Sequence, residues 1–290
     1  MNIRDLRYVV AVAELQHFGQ AAEHCHVSQP TLSGQIKKLE ELLGIQLFER
    51  TNRRVVPTDA CNDILISARR ILREVENITD IADSSHDPLA GKFRLGAFPT
   101  LAAYVFPELV QKVKAAMPDL RLILIEEKTD QLIDKLKCGE IDAALLALPV
   151  EDDFLLSQTL FEDEFFLAVP PHHEFASLST VHQDMLSSHC LLLLEEGHCL
   201  RDQALEVCKL HNIGEEQDFR ATSMETLREM VKAGTGITFI PKIAIHEGEV
   251  GIHYIPFEAP IPTRTIGLVW RKTTARAQVV NRLTEIFNAS

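Results

Sequence analysis

Hydrophobic residues in positions 1–58 first recur at helical spacing and then alternate with turn residues. A short alanine-rich helix at about 19–24 follows the first helix. Ser28 is a suitable N-cap for a third helix, which tolerates Pro30 because an amide hydrogen in the first turn has no partner there. Two apolar pairs around a polar tip, within 47–56, predict a two-stranded wing. The apolar face of the first helix contains Leu6, Val9, Val10 and Ala13.

The segment 59–85 has a different period, with apolar residues alternately four and three positions apart. These residues are Ile64, Ala68, Ile71, Val75, Ile78 and Ala82. A seam of this kind is typical of a coiled coil. A lone helix of about 25 residues, about 37 Å long, would leave the seam in water. We therefore interpret 59–87 as a linker helix through which two chains dimerise. The alternative is a helix that packs on its own domain.

From about residue 90, strand patterns alternate with helix patterns, which predicts an α/β domain with a mainly parallel sheet. The predicted strands are Phe93–Ala97, Arg121–Glu126, Ala143–Leu148, Phe165–Val169, His189–Leu194, Gly236–Ile240 and Thr265–Trp270. The predicted helices are Ala102–Ala116, Thr129–Cys138, Arg201–His211, Ser223–Ala233 and 275–288. We expect two lobes, lobe I (88–161 and 267–290) and lobe II (162–266), with a cleft at the carboxyl ends of the strands.

The composition fits this architecture. Apolar residues are 46% and charged residues 24% of the 290, as in a globular protein of two or three folded units. Without a run of 18 apolar residues or a signal-peptide pattern, we expect no membrane span and a cytoplasmic protein. The net charge of −13 is uneven, since residues 1–58 contain 7 Lys and Arg against 6 Asp and Glu. Charges beyond about 8–10 Å are screened, so an acidic body does not exclude DNA binding.

One of the six cysteines stands out by its neighbours. Cys199 follows His198, lies two positions before Arg201 and begins a predicted helix. An imidazole, a cation and a helix N-terminus each favour a thiolate, which attacks peroxide to form a sulfenic acid. Cys208 lies nine positions further on and can resolve that acid to a disulfide. The remaining four, interpreted as structural thiols, are Cys25, Cys61, Cys138 and Cys190.

The spacing of Cys199 and Cys208 predicts a switch. Within a helix, nine positions correspond to about 13 Å of rise, whereas a disulfide needs Cα atoms within about 7 Å. Closing the bond would therefore require the helix to unwind, and such a change can alter subunit packing. Two alternatives stay open. The cysteines could be inert, or they could bind zinc with His198, although that set lacks a second close ligand pair. We expect no metal and no cofactor.

The segment 18–40, FGQAAEHCHVSQPTLSGQIKKLE, resembles the helix-turn-helix of LysR-type regulators, and a linker and two lobes follow in that family's order. This implies an N-terminal winged helix-turn-helix, a long linker helix and a two-lobed effector domain like that of periplasmic binding proteins. Cys61 departs from the small residue, most often glycine, that the family has there. Small and polar side chains on the outer face suit a major groove, and wing arginines suit phosphates. The candidate DNA-binding residues are Ser28, Gln29, Pro30, Thr31, Ser33, Lys37, Lys38, Arg50, Arg53 and Arg54.

The stretch GHCLRDQALEVC, followed by FRATSMETLREMVKAGTGITFIP, resembles the peroxide-responsive members of that family. The resemblance implies that Cys199 reacts with hydrogen peroxide and that Cys208 resolves the product. It also implies promoter DNA as a partner, a homodimer or homotetramer, RNA polymerase, and glutaredoxin or thioredoxin as reductant. Hydroxyl, imidazole and guanidinium groups can orient peroxide. The candidate pocket residues are Thr100, Thr129, His198, Arg201 and Arg264.

Three other functions fit parts of the pattern. A LysR-type regulator that binds a small organic acid in the cleft would respond normally without Cys199. A thiol peroxidase fused to a DNA-binding domain would consume peroxide over many turnovers. A two-lobed solute-binding protein without gene control conflicts with the N-terminal motif. Gly234 and Gly236 lack the full dinucleotide fingerprint and indicate a helix end. We expect a regulator and not an enzyme.

Overall fold

The computed structural model describes residues 1–50, 55–83, 87–187, 189–197, 199–211, 214–246 and 248–288. The chain forms two compact units. One contains 1–86 together with 137–140, and the other contains 87–136 and 141–290. Within the described ranges, no helix has the length and apolar character needed to cross a membrane.

The first unit contains three helices, a hairpin and a long helix. These elements are α1 (Ile3–Leu15), α2 (Phe18–His24), α3 (Gln29–Leu43), β1 (Phe48–Arg50), β2 (Val55–Pro57) and α4 (Asp59–Asp83). Ser28 caps α3 by accepting a hydrogen bond from the Thr31 amide at 3.3 Å, as the sequence predicts. Leu6, Val9 and Val12 form the buried face of α1, whereas Val10 is only half-buried.

The apolar seam of α4 divides into two halves. Ala68 is buried, and Ile64 packs on the core of α1, α3 and the hairpin. Further along, Ile71 and Ile78 expose 43% and 68% of their surface. The sequence left open whether the helix packs on its own domain or on another chain. Its first half packs on its own domain, and its second half leaves apolar residues exposed.

Lobe I of the second unit is built on a parallel core. Its elements are β3 (Gly91–Ala97), α5 (Pro99–Ala116), β4 (Leu120–Glu126), α6 (Thr129–Cys138), β5 (Ala143–Leu148) and the C-terminal α9 (Ala277–Asn288). Strand β3 pairs in parallel with both β4 and β5. Gly96 lets α6 approach this sheet, because a Cβ there would lie 2.5 Å from Leu132 Cδ2. The close approach packs the first turn of α6 against β3.

Two long strands connect the lobes, and their direction corrects the expectation of a mainly parallel sheet. They are β6 (Leu155–Val169) and β11 (Thr263–Arg271), which pair antiparallel because the chain crosses between the lobes once in each direction. Strand β11 also pairs antiparallel with β5. In lobe II, β9 (Thr238–Pro241) and β10 (His253–Pro256) likewise run antiparallel to β6. The parallel prediction holds for the centre of lobe I and is wrong for these crossings.

The remainder of lobe II carries the cysteine-bearing helix. Strand β7 (Cys190–Leu194) pairs in parallel with β8 (Gly214–Ala221). Helix α7 (Cys199–His211) joins these two strands, and α8 (Met224–Lys232) follows β8. Each lobe has its own apolar core, and Cys199 packs against the core of lobe I although α7 belongs to lobe II. The start of α7 therefore lies where the lobes meet.

Candidate redox site

Cys199 is the first residue of α7, and its side chain is half-buried. Helix α6 begins at Thr129, whose hydroxyl interacts with the Cys199 thiol. Arg264 of β11 is the cation close enough to act on the sulfur. Three elements distant in sequence thus contribute a thiol, a hydroxyl and a guanidinium that interact with one another.

The balance of these interactions leaves Cys199 as a thiol. Burial raises the pKa of Cys199 above its ordinary value. The Arg264 guanidinium, the Leu200 amide and the Thr129 hydroxyl each lower that pKa, and Asp202 raises it, but burial dominates. The sequence neighbours suggested a thiolate, and in the resting fold the effect of burial outweighs the groups that favour one.

The cation predicted from the sequence donates a hydrogen bond to the main chain. Arg201 is buried, and its Nη1 donates a hydrogen bond to the Leu194 carbonyl at 3.2 Å. His198 lies outside the described residues. Among the described residues, Arg264 supplies a positive charge that acts on the sulfur, from a position 65 residues away in sequence.

Arg264 is held rigidly. Its Nε and Nη2 donate to Asp163 Oδ2 at 2.9 and 2.8 Å. Its Nη1 donates to the Thr100 hydroxyl at 3.2 Å, and Nη2 to the Thr100 carbonyl at 3.3 Å. The guanidinium lies 5.3 Å from the ring centroid of Phe98 and 5.9 Å from that of Phe165. Because Arg264 and Asp163 are both buried, they form a desolvated ion pair that fixes the guanidinium beside the thiol.

Asp163 is a site residue that the sequence analysis missed. It lies directly opposite Arg264 in the register of β6 and β11, and its Oδ1 accepts from the Ile243 amide at 3.1 Å. The strand was predicted only from 165, which left Asp163 in an apparent loop. The sequence signal for this buried pair was an acidic residue two positions before a strong apolar run. Its partner is an arginine at the matching position of another strand.

The Thr129 hydroxyl can form a further hydrogen bond at this site. Its Oγ1 is buried, and among the described residues it has no hydrogen-bond partner of good geometry. It nevertheless lies near enough to the Cys199 sulfur to lower the pKa. Buried hydroxyls are usually satisfied, so this oxygen can accept or donate one bond to a small polar molecule beside the thiol.

Helix α7 contains both cysteines of the predicted pair. Cys199 and Cys208 are nine positions apart in one continuous helix, which separates their Cα atoms by about 13 Å. A disulfide requires no more than about 7 Å. The structure does not describe the side chain of Cys208. The backbone separation alone shows that the two cysteines cannot form a disulfide while the helix is intact.

Three further cysteines have described side chains. Cys61 is fully buried in the core of the first unit, where burial and the Glu40 carboxylate raise its pKa to about 11. Cys138 is also buried. Burial raises the pKa of the half-buried Cys25 as well, although Arg7 opposes the shift. The structure does not describe the side chain of Cys190.

Most of the candidate DNA-reading residues lie on α3 or at its N-cap. Leu32, Ile36 and Leu39 are buried, so the opposite face of the helix is directed outward. Ser33 is half-buried and belongs to the same outward set. The structure does not describe the side chain of Arg50 or the residues Arg53 and Arg54. The exposed candidates are Ser28, Gln29, Pro30, Thr31, Lys37 and Lys38.

The chain combines a helix-turn-helix unit with a two-lobed α/β unit that has a thiol where its lobes meet. This combination is typical of DNA-binding regulators with a sensory domain. Two family models match the chain. "Bacterial regulatory helix-turn-helix protein, lysR family" covers residues 3–62, and "LysR substrate binding domain" covers 86–290. The chain therefore belongs to the LysR family of transcriptional regulators, within the group of OxyR proteins that its relatives define. These are DNA-binding regulators and not enzymes.

Those relatives are similar over nearly their whole length. The "Hydrogen peroxide-inducible genes activator" of Haemophilus influenzae is 44% identical over 273 residues, covering 93% of this chain and 91% of the relative. The "DNA-binding transcriptional dual regulator OxyR" of Escherichia coli is 42% identical over 291 residues, covering 100% and 95%. A full-length OxyR variant from Pseudomonas aeruginosa superimposes with a TM-score of 0.79 at 36% identity, covering 99% and 98%. A peroxide-bound OxyR mutant from Corynebacterium glutamicum gives 0.68 at 32%, covering 99% and 92%.

Proposed function

We propose that this chain is a hydrogen peroxide-sensing transcriptional regulator that binds promoter DNA and controls oxidative-stress genes. A disulfide between Cys199 and Cys208 is the switch. The observation that carries the proposal is the position of the Cys199 thiol. It lies beside the Thr129 hydroxyl and near the Arg264 guanidinium, at the start of a helix that also contains Cys208.

The chemistry balances with peroxide as the only oxidant. The Cys199 thiolate attacks one peroxide oxygen, the O–O bond breaks, and the leaving hydroxide takes a proton to become water. The Cys208 sulfur then displaces the hydroxyl of the sulfenic acid as a second water and forms the disulfide. Two thiols and one peroxide give one disulfide and two waters. In this proposal, Arg264 and Thr129 stabilise the oxygen that accumulates negative charge, which their effect on the Cys199 sulfur supports.

The switch acts through structure. Because the disulfide cannot close across an intact α7, oxidation must unwind that helix. We expect the refolded segment to change how subunits pack and thereby to move the DNA contacts. The exposed Ile71 and Ile78 of α4 support a homodimer, and pairs of dimers would form the homotetramer. RNA polymerase is the expected partner at the promoter. Cytoplasmic glutaredoxin or thioredoxin would restore the thiols.

The proposal is tested by adding one equivalent of hydrogen peroxide to the reduced full-length protein. Mass spectrometry should identify a Cys199–Cys208 disulfide in most chains, and the footprint on DNA should change in the same samples. Peroxide consumption should stop after one equivalent without an added reductant. An unchanged footprint on fully oxidised protein would contradict the proposal.

The rate of the first step should rise with pH throughout the neutral range. Since burial holds the pKa of Cys199 above its ordinary value, the thiolate is a minor species near pH 7, and its fraction grows about tenfold per pH unit. Stopped-flow reaction of the Cys208→Ser protein with peroxide at pH 6, 7 and 8 should give that slope. Thr129→Val, which removes a group that lowers the pKa, should be slower at each pH. A rate that is already constant from pH 6 to 7 would show a thiolate at rest.

Two substitutions on α3 should separate base reading from phosphate binding. Gln29→Ala removes an exposed amide suited to a base edge, so affinity for the selected operator should fall by about 1–3 kcal/mol with relaxed preference at one position. Lys38→Ala should weaken all sequences equally and reduce the salt slope by about 1. Fluorescence anisotropy on DNA selected by the wild-type protein gives both values. Identical specificity profiles for the two variants would argue against this assignment.

A further inference from the structure

A lysine connects the segment before α6 with the segment before α7. Lys128 Nζ lies 2.6 Å from Glu195 Oε1 and also donates to the Glu196 carbonyl at 3.0 Å. The side chains of Lys128 and Glu195 are 35% and 39% exposed, so the pair is only partly solvated. A charged donor with two acceptors on one short segment fixes that segment more firmly than a lone surface ion pair does.

The position of this contact links it to the thiol. Lys128 immediately precedes Thr129, where α6 begins, and Glu195–Gly197 lies just before Cys199, where α7 begins. The lysine stem also packs on this segment, since a Cβ built on Gly197, which has a φ of +86°, would lie 3.0 Å from Lys128 Cδ. The contact therefore joins the starts of the two helices whose first residues form the hydroxyl–thiol pair.

We propose that Lys128 is a positioning residue that stabilises the thiol form and thereby sets the redox potential of the Cys199–Cys208 pair. This inference rests on the proposed function. Forming the disulfide unwinds α7 from its first residue, which displaces the segment that Lys128 holds. An interaction made in one state only shifts the equilibrium toward that state. Two thiols of glutathione reduce the disulfide with formation of glutathione disulfide, so the equilibrium can be measured directly.

Replacing Lys128 should make the disulfide harder to reduce. Full-length Lys128→Met, equilibrated in glutathione redox buffers, should shift the thiol–disulfide equilibrium about tenfold toward the disulfide, which is about 30 mV toward more negative potential. Alkylation followed by mass spectrometry gives the fraction oxidised. Lys128→Arg keeps the charge and the donors and should restore a near wild-type potential.

A matched control exists on α6, the helix that follows Lys128. Lys135 forms an ion pair with Glu127 at 3.0 Å, with side chains 32% and 35% exposed, and among the described residues this pair makes no hydrogen bond or ion pair with 195–197. Lys135→Met should therefore keep the wild-type potential. Equal shifts in both methionine variants, or no shift in Lys128→Met while the wild-type protein forms its disulfide, would overturn the role of Lys128 and leave the proposed function intact. A wild-type protein that forms no disulfide would overturn both.

If Lys128→Met folds poorly, Glu195→Gln provides the second variant. It removes the negative partner at 2.6 Å while retaining the shape of the side chain. Its potential should shift in the same direction by a smaller factor, because the Glu196 carbonyl still accepts from Lys128. A shift in the opposite direction would contradict the proposal.

Discussion

The Cys199→Ser protein should form no peroxide-dependent disulfide and should keep one DNA footprint with or without peroxide. A serine hydroxyl is not deprotonated near neutral pH and does not attack peroxide, so the rate of oxidation at this position should fall at least about 100-fold. The neighbouring groups remain in place, since the oxygen is smaller than the sulfur and Cys199 is only half-buried. Stopped-flow kinetics and disulfide mapping measure the loss.

Cys25→Ser is the appropriate control for this experiment. Cys25 is also half-buried, and burial likewise raises its pKa against the opposing effect of Arg7. It belongs to the first unit, whereas Thr129 and Arg264, which act on Cys199, belong to the second. Its replacement should leave disulfide formation unchanged. A Cys199→Ser protein that still responds to an inducing signal would favour the LysR-type alternative in which a small organic acid binds in the cleft.

The Arg264→Met protein should be both less stable and slower to react. Removing the guanidinium leaves the buried Asp163 carboxylate without its ion-pair partner, and breaking a buried pair in this way costs about 3–5 kcal/mol of unfolding free energy. The same change removes the main group that lowers the pKa of Cys199 and a positive charge at the leaving oxygen. Loss of one such electrostatic contact reduces a rate by about 100-fold. Urea unfolding and peroxide kinetics measure the two effects.

The double variant Asp163→Asn with Arg264→Met separates these effects. Without the carboxylate, no buried charge is left unpaired, so a large part of the lost stability should return. The reaction rate should stay low because the cation near the sulfur is still missing. Recovery of the rate together with the stability would show that Arg264 acts only by maintaining the fold.

The architecture could be predicted from the sequence wherever local patterns decide the structure. Alternating strand and helix patterns predicted β3, β5 and α6, and the regular apolar spacing predicted α4 nearly to its ends. The helix that carries Cys208 was also predicted, from Arg201 to His211. These features depend on residues that are close in sequence, where periodicity and capping act.

The errors arise where distant segments decide the structure. Strand β8, with the sequence GEEQDFRA, has too many charged residues to be recognised and is stabilised by pairing with β7. Asp163 is buried because Arg264, 101 positions away, faces it across two strands. A positive charge that acts on Cys199 also comes from Arg264, and burial sets the direction of the pKa shift of Cys199. Neither effect is visible in the residues that flank the cysteine.

Amide hydrogen exchange across α7 tests the central claim most directly. The amides of residues 203–208, which lie beyond the first four residues of α7, should be protected in the reduced protein and should lose most of that protection after one equivalent of peroxide. A Cys208→Ser protein, oxidised only as far as the sulfenic acid, should keep the helix protected. Protection that persists in protein with a confirmed Cys199–Cys208 disulfide would contradict the account, because two positions about 13 Å apart cannot be bridged in an intact helix.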